Sequence, residues 1–156
     1  MPEALRGAGE VLLAFDYGIR RIGVAVGQTT TGTANPAGVI SAAGGPDWRG
    51  IERALAQWAP TRLVVGLPYN MDGSETALTP ACREFASELG RRFGLPVELV
   101  DERLTSAAAT AELREARHSG AMGRRVNRED IDANAARLLL ETWMGARPAG
   151  SRSTDA

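Results

Sequence analysis

The stretch LLAFDYGIRRIGVAVG, residues 12–27, constrains the fold more than any other part of this chain. Residues 11–15 are almost all apolar, which is typical of a buried central strand. Residues 21–27 form a second apolar run with strand-like alternation, and residues 16–20 predict a tight hairpin connection between the two runs. The chain therefore begins with an antiparallel strand pair, whose first strand is expected to end at a carboxylate, Asp16.

The second strand is expected to have one bulky and one thin face, because its larger side chains alternate with Gly23, Ala25 and Gly27. A third, weaker strand is predicted over residues 33–41. Pro36 favours an edge position for it, since proline cannot donate a hydrogen bond to a neighbouring strand. The first third of the chain thus predicts a three-stranded antiparallel meander.

Helices and strands are predicted to alternate after this meander. Asp47 is a candidate N-cap for a helix that ends before Pro60. A short buried strand over residues 62–67 is followed by a helix that Thr79 can cap. Another strand over residues 97–100 then completes a set of five.

Two further helices are predicted in the last third of the chain. The first begins near Thr105 and runs to about residue 117, and the second has Asn127 as its N-cap with Asp130 in capping-box position. Three meandering strands followed by alternating helices and strands indicate an α/β fold with a mixed five-stranded sheet flanked by helices.

The chain of 156 residues is long enough for one domain with a real core, expected over residues 11–145. Residues 1–10 are expected to be a flexible N-terminus without the apolar core of a secretory signal. The polar residues 146–156 are expected to be disordered. No apolar stretch approaches the ~20 residues of a membrane helix, and the single cysteine, Cys82, fits a core position in a cytoplasmic protein.

Three carboxylates occupy informative places in this pattern. Asp16 ends the first strand, Glu102 directly follows the last strand, and Asp132 lies near the start of the last helix, on the same side as the small residues Ala135 and Ala136. Because those alanines let the helix approach the sheet closely, we expect Asp132 to look inward rather than towards water.

Each carboxylate also has an ordinary explanation. Asp16 could be a turn residue, Glu102 could pair with Arg103 or Arg137, and Asp132 could favour the positive end of its helix. These explanations do not account for three carboxylates at one edge of the sheet. Open α/β sheets form their sites at this edge, and three carboxylates close together would repel one another. Oxygen ligands without histidine or cysteine suit Mg²⁺ or Mn²⁺.

The basic residues of the chain are all arginines, and the net charge is only −1. Residues 114–128 hold five of these arginines, the only histidine and a single acid, which gives a local charge of +4 with His118 neutral. This stretch is either a solvated basic loop or a loop that contacts phosphates.

Other classes of phosphate chemistry are disfavoured. The chain has no lysine and so no phosphate-binding loop of the Gly-Lys type, and a single histidine makes a hydrolytic triad improbable. Sugar-kinase-like and actin-like ATPases also start with an Asp-x-Gly hairpin, but they need two such domains. A nucleic-acid-binding or transcription-associated module without catalysis stays open as an alternative.

Four motifs resemble the YqgF family, the Holliday-junction-resolvase-like proteins assigned in bacteria as nucleases of the 16S rRNA precursor. They are FDYGIRRIGVAVG, VVGLPYNMDGSET, LVDERLTS and DIDANAARLLLETW, in that order along residues 11–144. The resemblance implies a ribonuclease-H-like fold and metal-dependent cleavage of structured nucleic acid. It assigns Asp16, Glu102 and Asp132 as catalytic residues and as ligands of Mg²⁺ or Mn²⁺.

The resemblance also implies which residues meet the nucleic acid, since the family is rich in basic residues before its last helix. Arg124, Arg125 and Arg128 occupy that stretch. The further expected contacts are Arg20 and Arg21, which neighbour Asp16, together with Asn70 and Arg103. Asn70 and Asp72 could instead simply form Asx turns. The chain is expected to be a monomer or a homodimer. Its expected partner is RNA, above all an rRNA precursor, and branched DNA is the alternative.

Overall fold

The computed structural model describes residues 9–104 and 128–146, the latter without the side chains of residues 128–130. The elements follow one another in the predicted order. They are β1 (Val11–Tyr17), β2 (Arg21–Gln28), β3 (Thr33–Ser41), α1 (Trp48–Trp58), β4 (Arg62–Leu67), α2 (Thr79–Phe93), β5 (Val97–Asp101), a 3-10 helix (Glu102–Leu104) and α3 (Arg128–Ala146).

The five strands form one mixed sheet in the order β3-β2-β1-β4-β5. The meander β1-β2-β3 is antiparallel, whereas β4 runs parallel to both β1 and β5. The edge position predicted for β3 is confirmed, and Pro36 lies opposite Ala25 where the β2–β3 register shifts. The parallel strands β1, β4 and β5 therefore all end at the same edge of the sheet.

Helices cover both faces of the sheet, and each face has its own apolar core. The α1 and α2 side buries larger side chains, among them Leu13, Phe15, Ile22, Leu63 and Phe85. The α3 side is thinner and is built from Leu12, Ala14, Ala25, Val64, Val100, Ala136, Leu139 and Leu140. The thin face that the alternation in β2 predicted is thus the face on which α3 packs.

Strand β1 is longer than the sequence pattern predicted. It continues through Asp16 to Tyr17, so the connection to β2 is residues 18–20 rather than 16–20. Asp16 pairs in register with Gly23 of β2. The backbone of Asp16 is therefore fixed by the sheet ladder, and the interpretation of Asp16 as a turn residue is wrong.

The N-cap predicted at the start of α2 is also wrong, whereas the one predicted for α1 is confirmed. Asp47 accepts a hydrogen bond from the backbone N–H of Gly50 at 3.1 Å. Thr79, in contrast, is already helical and follows the N-cap residue Leu78. The buried Thr79 hydroxyl instead donates to the carbonyl of Pro68 and thereby ties α2 to the end of β4.

Several predictions lie outside the described residues. They concern the helix from Thr105, the basic residues 114–127, the Asn127 cap with Asp130, the side chain of Arg128 and both chain ends. Within residues 9–104 and 128–146, the helices are too short or too polar to cross a membrane.

Candidate active site

Asp16 lies between two glycines on the α3 face of the sheet. It follows Leu12 and Ala14 in alternation, and both of these pack in the core on that face. Its partner on β2 is Gly23. On β4, Val65 pairs with Phe15, so Gly66 is the next residue beside Asp16. The two missing side chains leave room for other groups to approach the sheet on either side of Asp16.

The start of α3 lies on the first of these glycines. A methyl group at Gly23 would be 2.5 Å from the carbonyl carbon of Asp132 and 3.2 Å from the amide nitrogen of Ala133. These atoms belong to the helix backbone, so α3 crosses β2 at the residue that pairs with Asp16. The backbone of Asp132 thus lies at the sheet, while its side chain is 25% exposed.

The carboxylate of Glu102 lies over the second glycine. A methyl group at Gly66 would be 2.7 Å from Oε2 of Glu102 and 2.7 Å from Cδ1 of Leu139. Glu102 directly follows β5, whose last residue, Asp101, pairs with Leu67 of β4. The side chain thus reaches from the β5 edge back over β4, towards Asp16.

The charges of Asp16 and Glu102 both act on the thiol of Cys82. Burial raises the pKa of the Cys82 thiol to about 12, and the negative charges of Glu102 and Asp16 add to that shift. Cys82 is fully buried in α2, with its sulfur 4.0 Å from the carbonyl oxygen of Tyr17. Both carboxylates therefore act on the same thiol at the end of β1.

Adjacent carboxyl groups at the end of β5 have opposite pKa shifts. Hydrogen bonds from Arg103 hold the pKa of Asp101 below its usual value. Burial raises the pKa of Glu102, and the negative charge of Asp101 raises it further. Because desolvation penalises the charged form, the ionised Glu102 would be stabilised by a nearby positive charge.

The structure excludes two ordinary partners of Glu102. Arg103 forms its ion pair with Asp101 at 2.6 Å, and Arg137 forms one with Glu141 at 2.9 Å. In the described part of the chain, neither arginine pairs with Glu102.

Asp132 does have a partner, and it is one of the predicted nucleic-acid contacts. Nε of Arg21 lies 2.7 Å from Oδ2 of Asp132. From the sequence, Arg21 was expected to contact nucleic acid and Asp132 to bind a metal ion, so this ion pair was not predicted. Arg20, the residue before it, is exposed to solvent.

The loop after β4 holds the remaining predicted contact, Asn70. Its side-chain amide donates to the Ser74 hydroxyl at 3.0 Å, and Asp72 accepts from the Ser74 backbone N–H at 2.9 Å. The Asx-turn interpretation is therefore confirmed for Asp72, whereas Asn70 acts as a donor that ties the two sides of the loop together. The guanidinium of Arg103 lies 5.3 Å from the ring centre of Tyr69, so the loop packs against the end of β5.

The three carboxylates suit a hard divalent cation by their chemistry, because all of their donor atoms are oxygens. The raised pKa of Glu102 fits this, because within residues 9–104 and 131–146 no arginine side chain forms an ion pair with its buried carboxylate. Within residues 9–104 and 128–146, however, no three such side chains converge closely enough to hold an ion. Arg21 holds Asp132 through Oδ2, so an ion that binds this carboxylate must displace Arg21 or share the carboxylate with it.

The close approach of Glu102 to Gly66 was not predicted from the sequence. Its signal was a glycine inside an apolar strand run, VVGL, which is typical of a place where another group approaches the backbone closely. Gly66 and Gly23 together create the space in which Glu102 and Asp132 approach the strand of Asp16.

Comparison with known proteins gives concordant matches to sequences and structures. A family model described as RuvX, Holliday junction resolvase, matches residues 10–146. A protein of Coxiella burnetii named "Putative pre-16S rRNA nuclease" is 47% identical over 135 residues, which cover 86% of this chain and 92% of the relative. One of the same name from Azotobacter vinelandii is 46% identical over 142 residues, or 90% and 96% of the two chains.

Two solved structures share the fold at low sequence identity. RuvC of T. thermophilus in complex with a Holliday junction substrate matches with a TM-score of 0.54 and 20% identity, over 90% of this chain and 97% of that one. The yeast mitochondrial Holliday junction resolvase Ydc2 matches with a TM-score of 0.50 and 12% identity, over 85% and 77%. The predicted ribonuclease-H-like fold is thereby confirmed.

Proposed function

Because the chain belongs to the RuvX family, which is the YqgF family that its motifs resemble, we propose that it is a metal-dependent nuclease acting on structured nucleic acid. The observation that carries this proposal is the row Gly23–Asp16–Gly66, over which Asp132 and Glu102 lie. A purely binding module would have no need for an acidic centre at the place where it meets a polyanion.

In this proposal Asp16, Glu102 and Asp132 hold Mg²⁺ or Mn²⁺. When bound, such ions activate a water molecule and stabilise the leaving oxygen of a phosphodiester. Asp16 is fixed by its strand, and Glu102 and Asp132 approach it from opposite sides. Basic residues near this edge, including the exposed Arg20, would orient the phosphate backbone for in-line attack.

The proposed substrate is RNA, specifically the precursor of 16S rRNA, cleaved near its 5′ end. The names of the relatives from C. burnetii and A. vinelandii support this choice. The chain would then act in ribosome biogenesis in the cytoplasm, where a single unpaired cysteine such as the buried Cys82 stays reduced.

A second candidate is cleavage of Holliday junctions in DNA, which the description of the matching family favours. A resolvase must make paired cuts in two strands, so it requires a dimer with two active sites. Comparing a four-way DNA junction, a single-stranded RNA and an rRNA-precursor fragment as substrates, together with the oligomeric state in solution, separates the two candidates.

The variant Asp16→Asn tests the active site directly. It should abolish cleavage in Mn²⁺ titrations, because the neutral amide is a poor ligand, while nucleic-acid binding measured by fluorescence anisotropy stays within about threefold. Glu52→Gln is the matched control, since it removes the same charge at an exposed position of α1, on the opposite face of the sheet.

Two outcomes would contradict the proposal. Cleavage by Asp16→Asn at the parent rate would remove Asp16 from the active site. Binding without cleavage by the parent protein, on all three substrates, would favour the non-catalytic module.

A further inference from the structure

Arg21 and Asp132 form an ion pair between β2 and α3, at the edge of the candidate active site. Nε of Arg21 lies 2.7 Å from Oδ2 of Asp132, and the two side chains are 32% and 25% exposed. The residues are 111 positions apart in the sequence, so the pair exists only because α3 crosses β2. It is therefore a tertiary contact that the fold builds at this place.

The position of this pair is fixed by the close approach at Gly23. Arg21 precedes Gly23 by two residues, so its side chain leaves the strand on the same face. The backbone of Asp132 rests directly above Gly23. The guanidinium of Arg21 thus contacts the carboxylate of Asp132 next to Gly23, the residue that pairs with Asp16.

Arg21 contributes a guanidinium, a planar cation that is well suited to pairing with a carboxylate. Any cation that takes Asp132 as a ligand must therefore displace Arg21 or share the carboxylate with it. Two other arginines near the site have different ion-pair partners, since Arg103 pairs with Asp101 and Arg137 with Glu141. Among the described residues, Arg21 is the arginine whose ion-pair partner is a candidate metal ligand.

We propose that Arg21 is the built-in counter-ion of Asp132 and competes with the divalent cation for this carboxylate. This inference rests on the proposed metal-dependent function. Arg21 stabilises the metal-free site, and it raises the cation concentration at which Asp132 changes partner. By this competition, Arg21 sets how much Mg²⁺ or Mn²⁺ the site needs, so it is a positioning residue rather than a catalytic one.

Calorimetric titration with Mn²⁺ tests the competition without any measurement of activity. Arg21→Gln should bind Mn²⁺ about three- to tenfold more tightly than the parent, the range expected for removing a partly exposed ion pair. Arg21→Lys keeps the charge and should stay close to the parent. Arg20→Gln, the matched control, removes the neighbouring exposed charge and should change the affinity by less than about twofold.

Urea unfolding of the metal-free protein gives the second measurement. If the pair stabilises this state, Asp132→Asn should lower stability less in the Arg21→Gln background than in the parent, because the partner is already absent. This double-mutant cycle involves no metal and reports on the ion pair alone.

The results distinguish this inference from the proposed function. Weaker or unchanged Mn²⁺ binding by Arg21→Gln, with saturable binding by the parent that Asp16→Asn abolishes, would overturn the competition and leave the metal site intact. No saturable binding by the parent would overturn both proposals. An equal effect of Arg20→Gln would show general electrostatics instead of competition for Asp132.

Discussion

Replacing Gly23 by alanine should damage both the fold and the candidate active site. The new methyl group would overlap the carbonyl oxygen of Asp132 and lie 2.5 Å from its carbonyl carbon, whereas ordinary van der Waals contact begins at 3.4 Å. The start of α3 would therefore have to retreat by at least about 0.9 Å. These are backbone atoms of a helix packed on the sheet, so no side-chain rotation can relieve the clash.

The free energy of unfolding should fall by about 3 kcal/mol or more. Overpacking that side-chain shifts can absorb costs about 1–3 kcal/mol, and a rigid backbone neighbour places Gly23 at or above the top of this range. The lower conformational entropy of alanine in the unfolded chain returns only about 0.4–1 kcal/mol. With a total stability of about 5–15 kcal/mol, the variant would be folded but visibly weakened.

Gly27→Ala is a matched control on the same face of the same strand. A methyl group there would lie 2.8 Å from Cδ2 of Leu140, a side-chain atom that can shift, and 3.1 Å from the backbone oxygen of Thr33, a much milder contact than at Gly23. We therefore expect a loss of only about 1 kcal/mol. Urea unfolding followed by tryptophan fluorescence measures both variants. At an m-value of about 2 kcal/mol/M, the midpoint should fall by about 1.5 M for Gly23→Ala and about 0.5 M for Gly27→Ala. Equal midpoints for the two variants would refute the close approach of α3 at Gly23.

Two further predictions follow from the same site. Gly66→Ala should weaken Mn²⁺ binding about tenfold in calorimetric titration, because its methyl group displaces Oε2 of Glu102. The cost in stability should be only about 1 kcal/mol, since the Glu102 side chain can move. Unchanged Mn²⁺ affinity would remove Glu102 from the proposed ligands. Burial raises the pKa of the Cys82 thiol to about 12, so ionisation of this thiol favours the unfolded chain above pH 9. Between pH 8 and pH 10, the free energy of unfolding of the parent should therefore fall by about 1.4 kcal/mol more than that of Cys82→Ala, as measured by urea unfolding. Identical pH slopes for these two proteins would contradict a buried, neutral thiol.

Local sequence patterns predicted much of the fold because the signals concerned are short in range. The alternation in residues 21–27 predicted a strand with a thin face, and the structure has α3 on that face. Asp47 was recognised as an N-cap because its hydrogen bond reaches only three residues along the chain. Thr79 carried the same local signal, but its hydroxyl donates to Pro68, a tertiary partner that competes with capping.

The sequence by itself determined the order of the elements, the mixed sheet, the family and the three candidate carboxylates. Only the tertiary structure decided how these carboxylates are surrounded. It showed that Gly66 gives Glu102 its place and that Arg21 pairs with Asp132. The physical reason is that both contacts join elements far apart in the chain, so they arise from the packing of α3 and β5 on the sheet and leave no periodic pattern in the sequence.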